Sequence, residues 1–395
     1  MRITVVTCGS RGDVQPMLAL AVGCGAAGHE VTVCSSPDNA AWARSLGCTF
    51  QAIGEPLRGN PALGNWGVRP FNRFVRRQLS LQVRDLPRIV AGSDIVVASG
   101  LAWGVRPVTE HLGVPYRYVS FAPVGLLGTT RDPIGLRLLR AAADRAADLF
   151  YGRALNRGRD RLALPPTRHV MAQLMGPTTI AATDPALAAL SRGARPRVVQ
   201  TGYPLLATSG ELSERLQRFL AAGPPPIYAG FGSMPYGGRE RVSKLLTEAA
   251  RRAGVRIVIY RGWTQIPEMG DSDGCLFVDE EPHGVLFPRV RAVIHHGGAG
   301  TVATAARAGV PQIVLPQAAD QFLWRGQVVR LGLGPRAPVL RAASAASVAR
   351  AITAALIGPA YRQTAQDMAA RLQAAPDGVA TTVAEITRRT VDRIG

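Results

Sequence analysis

The sequence predicts an α/β protein made of two successive, Rossmann-like, doubly wound domains. Three observations carry that reading. Short apolar, β-rich runs alternate with helix-periodic segments from the first residues onward. The alternation breaks at Gly223-Pro224-Pro225-Pro226 and then starts again. A chain of 395 residues is also the length of two ordinary domains.

Residues 3–8 form a continuous β-rich run, residues 16–27 are helix-periodic, and Gly28-His29 end that pattern before a second run at 31–34. This is a βαβ unit, which implies parallel strands. Further strands are expected at 49–53, 95–98 and 116–120, and the stretch 58–87, rich in Arg, Gly and Asn, reads as loops and short helices. The first domain is placed at 1–206. Residues 207–225 read as a linker, with a polar helical stretch at 211–220 and then three prolines that suit neither a helix interior nor a central strand. The second domain, 226–378, is expected to carry strands at 227–231, 256–260, 276–278, 291–295 and 312–315, with helices at 239–253 and 299–308. Residues 379–395 read as a C-terminal helix packing back on the first domain.

Composition excludes several classes of protein. The formal net charge is +19, but Lys244 is the only lysine and the arginines are scattered apart from pairs such as Arg76-Arg77 and Arg251-Arg252. Neither an aromatic stacking platform nor a reading helix accompanies them, so no nucleic-acid partner is expected, and the charge fits a preference for phosphate-bearing ligands. Five cysteines, Cys8, Cys24, Cys34, Cys48 and Cys275, make no C-x-x-C pair and no zinc spacing. Their odd number fits a reducing, cytoplasmic location. No stretch reaches the roughly 18 apolar residues of a membrane span, so no stable membrane insertion is expected.

Ligands of open α/β sheets bind beyond the carboxyl ends of the strands, so glycine-rich loops after strands are where chemistry is expected. The strongest is His295-His296-Gly297-Gly298-Ala299-Gly300-Thr301, which follows a strand and opens a helix. Small residues let the backbone approach an anion, free N–H groups at the helix start point at it, and a histidine at the rim adds a donor. The spacing is neither G-x-G-x-x-G nor a P-loop, which argues against an NAD-dependent oxidoreductase. Gly230-Phe231-Gly232-Ser233-Met234 is a second loop of this kind, and Trp263 after the next strand could stack on a nucleobase or cap a core. In the loop after 312–315, Asp320 and Gln321 can bond sugar hydroxyls, although Asp320 alone also suits a helix cap. In the first domain, Gly9-Ser10-Arg11-Gly12-Asp13 follows the first strand; Asp13 is either a helix cap or a general base. Asp271-Ser272-Asp273 has the D-x-D spacing of a metal site but lies in a polar stretch and reads as a surface loop, so no metal is expected.

In order and spacing, the motifs resemble those of bacterial antibiotic glycosyltransferases of the GT-B fold, especially the glycopeptide-aglycone enzymes. The likeness rests on residues 1–22, on VVQTGY at 198–203, AGPPPIYAGFGSM at 222–234 and YRGW at 260–263, and on residues 283–321. It implies two domains facing across a cleft and an inverting, metal-independent transfer of sugar from a TDP- or UDP-sugar to a natural-product aglycone, without a cofactor. By position, it implies Asp13 as base. It also implies Ser10, Gly12, Ser233, His295, Gly297, Gly298, Ala299, Gly300 and Thr301 around the diphosphate. Trp263 and Val278 would lie near base and ribose, and Asp320 and Gln321 near the sugar. Plant-type relatives use a histidine–aspartate dyad; the first loop here has no histidine, so Asp13 acts without one. The segment 126–164 is short and basic (Arg131, Arg137, Arg140, Arg145, Arg153, Arg157 and Arg159), with Asp132 read as a loop residue. It favours a compact polyketide or aromatic acceptor beside the peptide one. A monomer or weak dimer is expected. The alternatives are a sterol- or lipid-glucosyltransferase-like enzyme and a sugar-nucleotide epimerase of the same fold.

Overall fold

The computed structural model describes residues 1–58, 60, 68–122, 134–190, 197–207, 210–232, 238–262, 265–268, 274–318 and 320–388. The chain divides into two compact units. The first comprises Met1–Pro185, Ala189–Leu206 and the segment from Pro376 onward; the second comprises Ala186–Ala188 and Ala207–Ala375.

The first unit is built on a parallel sheet of seven strands: β1 (Arg2–Cys8), β2 (Glu30–Ser35), β3 (Thr49–Ala52), β4 (Ile95–Gly100), β5 (Tyr116–Ser120), β6 (Thr178–Ala181) and β7 (Arg197–Gln200). Their order is β3-β2-β1-β4-β5-β6-β7, so the order reverses between β1 and β4. Helices cover both faces of such a sheet, and the central strands must be apolar on both sides. Ile3, Val5, Val6, Val96 and Val97 are accordingly buried. β6 and β7 escape the sequence pattern because they are four residues each, and Thr178, Thr179 and Arg197 break their apolar runs.

Two long helices stand where the sequence pattern did not place them. Residues 68–90 form one continuous helix, Val68–Val90, where loops and short helices were expected. Its arginines face solvent, while Phe74, Val75, Leu79, Val83, Leu86 and Val90 are buried at helical spacing. The basic stretch beyond residue 133 is likewise a long helix, Ile134–Arg161. Arg145, Arg153 and Arg157 lie on its exposed side, whereas buried Arg159 donates from both terminal nitrogens to Glu110, at 2.8 and 2.9 Å. Arg131 and Asp132 lie outside the described residues, as do the side chains of Arg137 and Arg140.

The first helix starts at Arg11, five residues before the expected Pro16. Ser10 caps it, and Asp13 reaches back to the Ser10 backbone N–H. Pro16 has no N–H for the carbonyl of Gly12, a residue that is itself exposed.

The second unit holds five parallel strands: β8 (Ile227–Gly230), β9 (Ile257–Tyr260), β10 (Cys275–Val278), β11 (Val293–His295) and β12 (Gln312–Val314). Their order is β10-β9-β8-β11-β12, with the reversal between β8 and β11. Residues 207–225, read from sequence as a linker, belong to this unit. They contain the helix Glu214–Ala221, and Leu212 and Leu216 are buried against Tyr228, Val258 and Phe287. The polar composition of 211–220 hides these two anchors.

The helix Gly378–Thr387 belongs to the first unit and lies on the helix Arg11–Ala26. Contact is close enough that a Cβ at Gly23 would sit 2.3 Å from Val379 Cγ1. A Thr201–Thr382 hydroxyl bond of 2.7 Å ties the same helix to the end of β7. Gly23→Ala should therefore cost about 1–3 kcal/mol of stability through overpacking. Most of that loss should be recovered when Val379→Ala is added, a coupling that chemical denaturation of the double-mutant cycle measures.

Candidate functional site

In each unit the strand order reverses at one point, and the residues just past the strand ends there form the groups with chemistry. In the first unit these are the loops after β1 and β4. Asp13 lies in the first helical turn after β1, and its Oδ2 accepts from the Ser10 backbone N–H at 2.8 Å and from the Ser10 hydroxyl at 2.9 Å. Oδ1 has no hydrogen-bond partner among the described residues. The two flanking glycines make room for this side chain. A Cβ at Gly9 would fall 2.3 Å from Asp13 Oδ2, and one at Gly100 would fall 2.5 Å from the Cys8 carbonyl oxygen and 3.3 Å from Asp13 Cβ. Gly100 also has a φ of +64°, which a side chain would strain.

Burial raises the Asp13 carboxyl above its ordinary value, outweighing the two Ser10 hydrogen bonds that lower it. Its charge acts in turn on its neighbours. Burial, and secondly Asp13, push the Cys8 thiol up to about 12 and raise the Tyr118 phenol. Both therefore stay protonated at neutral pH, and Asp13 is the acidic group of this cluster, held by burial above its ordinary range. Ser10 is bound to the carboxylate and Gly12 is exposed on the same turn.

In the second unit the glycine loop follows β11. His295, the last strand residue, is fully buried. Its Nδ1 accepts from the Gly297 N–H at 3.1 Å, and its Nε2 lies 3.1 Å from Gln312 Oε1. Both ring nitrogens are thus spent within the protein, and none is left for the diphosphate oxygen that the sequence reading assigned to His295. Burial, and secondly His296, press its pKa down to about 3, so the ring is neutral. The side chain that comes to the loop surface is that of His296. Its Nδ1 is buried without a hydrogen-bond partner among the described residues. Its ring fills the space that side chains at two glycines would need: a Cβ at Gly298 would lie 2.6 Å from Nε2, and one at Gly232 would lie 3.2 Å from Cε1. Gly297 has a φ of +96°, and a Cβ there would meet Val314 Cγ1 at 2.8 Å. Gly298 caps the helix Ala299–Arg307, so Ala299, Gly300 and Thr301 form the first turn, whose N–H groups have no partner inside the helix.

Two more orphaned donors sit past other strands of the same sheet. Arg261 Nε, after β9, and Gln317 Nε2, after β12, are buried without a hydrogen-bond partner among the described residues. Sequence reading passed over both; the signal available was only their place one to three residues beyond a strand. The loops after β8 and β9 touch, since a Cβ at Gly262 would lie 2.6 Å from the Gly232 carbonyl oxygen. Gln321 is buried, and its Oε1 accepts from the N–H groups of Gln317 and Ala318 at 2.8 and 3.1 Å, holding the loop after β12 in shape. Asp320 stands at the N-cap of the helix Gln321–Arg330 without a side-chain capping bond. Val278 ends β10 inside the core. Ser233, Trp263 and the D-x-D stretch 271–273 lie outside the described residues.

Comparison with known proteins places this architecture. Residues 3–126 match the glycosyltransferase family 28 N-terminal domain, and residues 246–388 match the C-terminal domain of the erythromycin biosynthesis protein CIII-like family. The chain is 38% identical over 352 residues to the vancomycin aglycone glucosyltransferase of Amycolatopsis orientalis, 85% of each chain being covered. It is 34% identical over 345 residues to the dTDP-epi-vancosaminyltransferase of the same organism, again with 85% of each covered. Among solved structures it is similar to the glycosyltransferase VinC in complex with dTDP, at 21% identity, with 98% of each chain covered and a TM-score of 0.71. The fold is that of GT-B glycosyltransferases, enzymes that transfer a sugar from a nucleotide sugar. The chain belongs to the family of bacterial natural-product glycosyltransferases that includes the vancomycin aglycone enzyme.

Because His295 is buried and neutral with a pKa near 3, while an unfolded histidine titrates at about 6.5, acid favours the unfolded chain. The stability this ring contributes is complete above about pH 6.5 and falls as pH drops toward its folded value, by about 1.4 kcal/mol per pH unit. Urea denaturation between about pH 6.5 and pH 4.5 should show that slope reduced by this amount in His295→Asn.

Proposed function

We propose that the second unit binds the diphosphate of a thymidine-diphosphate sugar at the helix start Gly298–Thr301. In this reading His296, in its Nδ1–H tautomer, donates to a phosphate oxygen, and Arg261 and Gln317 supply further hydrogen bonds. The observation that carries it is that three buried polar atoms, Arg261 Nε, His296 Nδ1 and Gln317 Nε2, each past the carboxyl end of a strand in one parallel sheet, have no hydrogen-bond partner among the described residues. Buried polar groups are normally bonded, and orphaned ones at the ligand-binding edge of such a sheet are groups awaiting a ligand. The dTDP named with the solved relative and with the curated vancosaminyltransferase supports thymidine as the base.

Asp13 is the base for the acceptor, a hydroxyl of an antibiotic aglycone. Ser10 fixes Oδ2, which leaves Oδ1 to take the hydroxyl proton as the acceptor oxygen forms its bond to the anomeric carbon. The bond from that carbon to the diphosphate oxygen breaks on the opposite side, so configuration inverts. Negative charge growing on the leaving diphosphate is met by the helix start and His296, with no metal in the scheme. Ser10, Gly12 and Asp13 act as one turn: cap, exposed glycine and base.

Asp13→Asn should lower kcat by about 10²–10⁴-fold, the usual contribution of general base catalysis, while calorimetry finds dTDP affinity unchanged. The acid limb of the wild-type rate profile should fall above the ordinary aspartate range, because burial raises this carboxyl and activity requires its ionised form. A rate untouched by Asp13→Asn would reduce the residue to a helix cap. His296→Ala should weaken dTDP binding by about ten- to a hundred-fold, the worth of a hydrogen bond to a charged group. EDTA should leave kcat unchanged.

A further inference from the structure

The buried groups behind the glycine loop form a chain with a single consistent direction. The Gln312 side-chain amide donates from Nε2 to the Val302 carbonyl at 3.3 Å, so its Oε1 is turned toward His295. An oxygen there can only accept, which puts the imidazole proton on His295 Nε2 and leaves Nδ1 bare. Nδ1 in turn accepts from the Gly297 N–H. Gln312 and His295 are both fully buried, and β11 and β12 pair so that His295 faces Val314, two residues beyond Gln312 on the same side of the sheet. The chain therefore joins the peptide plane between His296 and Gly297 at one end to Val302, inside the helix that follows, at the other.

We infer that Gln312 and His295 are positioning residues for donor binding: through Nε2–H and Nδ1 they fix the His296–Gly297 peptide plane and with it the loop that presents His296 and the helix start. Neither touches the nucleotide. The inference rests on the donor-site reading above, and it gives the first histidine of the pair a different task from the second. A protonated His295 would set an Nδ1–H against the Gly297 N–H, donor against donor, so the device works only with a neutral ring. The burial that holds this ring's pKa near 3 keeps it so. An amide at 312 suits that need and a carboxylate does not, because a carboxylate would draw a second proton onto the imidazole.

The test is Gln312→Glu, which keeps shape and replaces the neutral acceptor by a charged one. A histidine beside a carboxylate has a raised pKa, so the imidazolium forms as pH falls and disappears as it rises. Calorimetric titration with dTDP should give the variant an affinity about ten-fold or more below wild type at about pH 6, recovering by about pH 8.5, while wild type varies little over that range. The KM for the nucleotide sugar should follow the same curve, with kcat much less affected. Equal weakening at all pH values, or wild-type affinity at about pH 6, would overturn the inference. Nitrogen-15 NMR of histidine-labelled wild-type protein provides a second test that does not depend on how the variant folds. It should find one imidazole in the Nε2–H tautomer that does not titrate between about pH 5 and pH 8; an Nδ1–H tautomer for His295, or titration in that range, would equally overturn it. Failure of wild-type protein to bind dTDP at all would instead sink the donor-site reading, while the NMR result would still decide the hydrogen-bond chain.

Discussion

Parallel pairing of β11 between β8 and β12 sets Gly230, His295 and Val314 side by side at one edge of the second sheet. Everything the second unit offers a ligand follows from that alignment. Parallel strands all end at the same edge, and their next residues must leave the sheet together. At a reversal of strand order the connecting helices part to opposite faces, so the loops between them are not covered. The loop after β8 contributes Gly232 and the loop after β11 contributes His296, one on each side of the reversal. β1 and β4 do the same in the first unit, where Cys8 pairs with Gly100 and Asp13 lies just beyond. One topological rule has placed a carboxylate at the first reversal and an imidazole at the second.

Their electrostatics differ in kind. Asp13 is held in its charged form by two donors from Ser10, and burial works against it. The result is a carboxylate more basic than usual, among groups whose own ionisation it suppresses. The histidines carry the opposite bias: burial keeps both neutral, with His296 pressed down to about 4. A neutral imidazole costs little to bury when both nitrogens are bonded, which is the condition of His295. His296 Nδ1 has no partner among the described residues, and a buried orphan is a standing cost to the free protein. Tolerating that cost makes sense at a place where a ligand repays it, and makes none in a loop that only turns the chain.

Strands buried on both faces were legible, because they write themselves as apolar runs, and so were the loops that end them. The regions that escaped did so for physical reasons. The helix Val68–Val90 hides a regular apolar stripe beneath arginines, and composition spoke louder than period. The helix Glu214–Ala221 is anchored by Leu212 and Leu216, too few to tell from a linker's occasional apolar residue. In the site, the sequence showed that two histidines preceded the glycines but not which one faced inward. That depends on the parity of a three-residue strand and on Gln312, which lies on another strand and reaches His295 only through register. Orphaned donors such as Gln317 Nε2 are defined by what fails to surround them, and no local pattern encodes that.

The glycines of the two loops acquire a second meaning from the same geometry. Read as sequence, Gly-x-x-Gly and Gly-Gly before a helix suggest a backbone that must come close to an anion. The distances show that several of them are also the imprint of a neighbouring side chain. Gly9 and Gly100 leave the volume that the Asp13 carboxylate occupies, and Gly232 and Gly298 leave the volume of the His296 ring. A methyl group at Gly298 would displace the imidazole while leaving the loop's φ and ψ attainable, and one at Gly9, where φ is +155°, would add backbone strain to its clash with the carboxylate. Each motif is therefore better read as a functional side chain together with the glycines that make room for it. This explains why the spacing departs from the dinucleotide and P-loop patterns: those are fixed by the shape of a phosphate, and these are fixed first by the shape of a carboxylate and an imidazole.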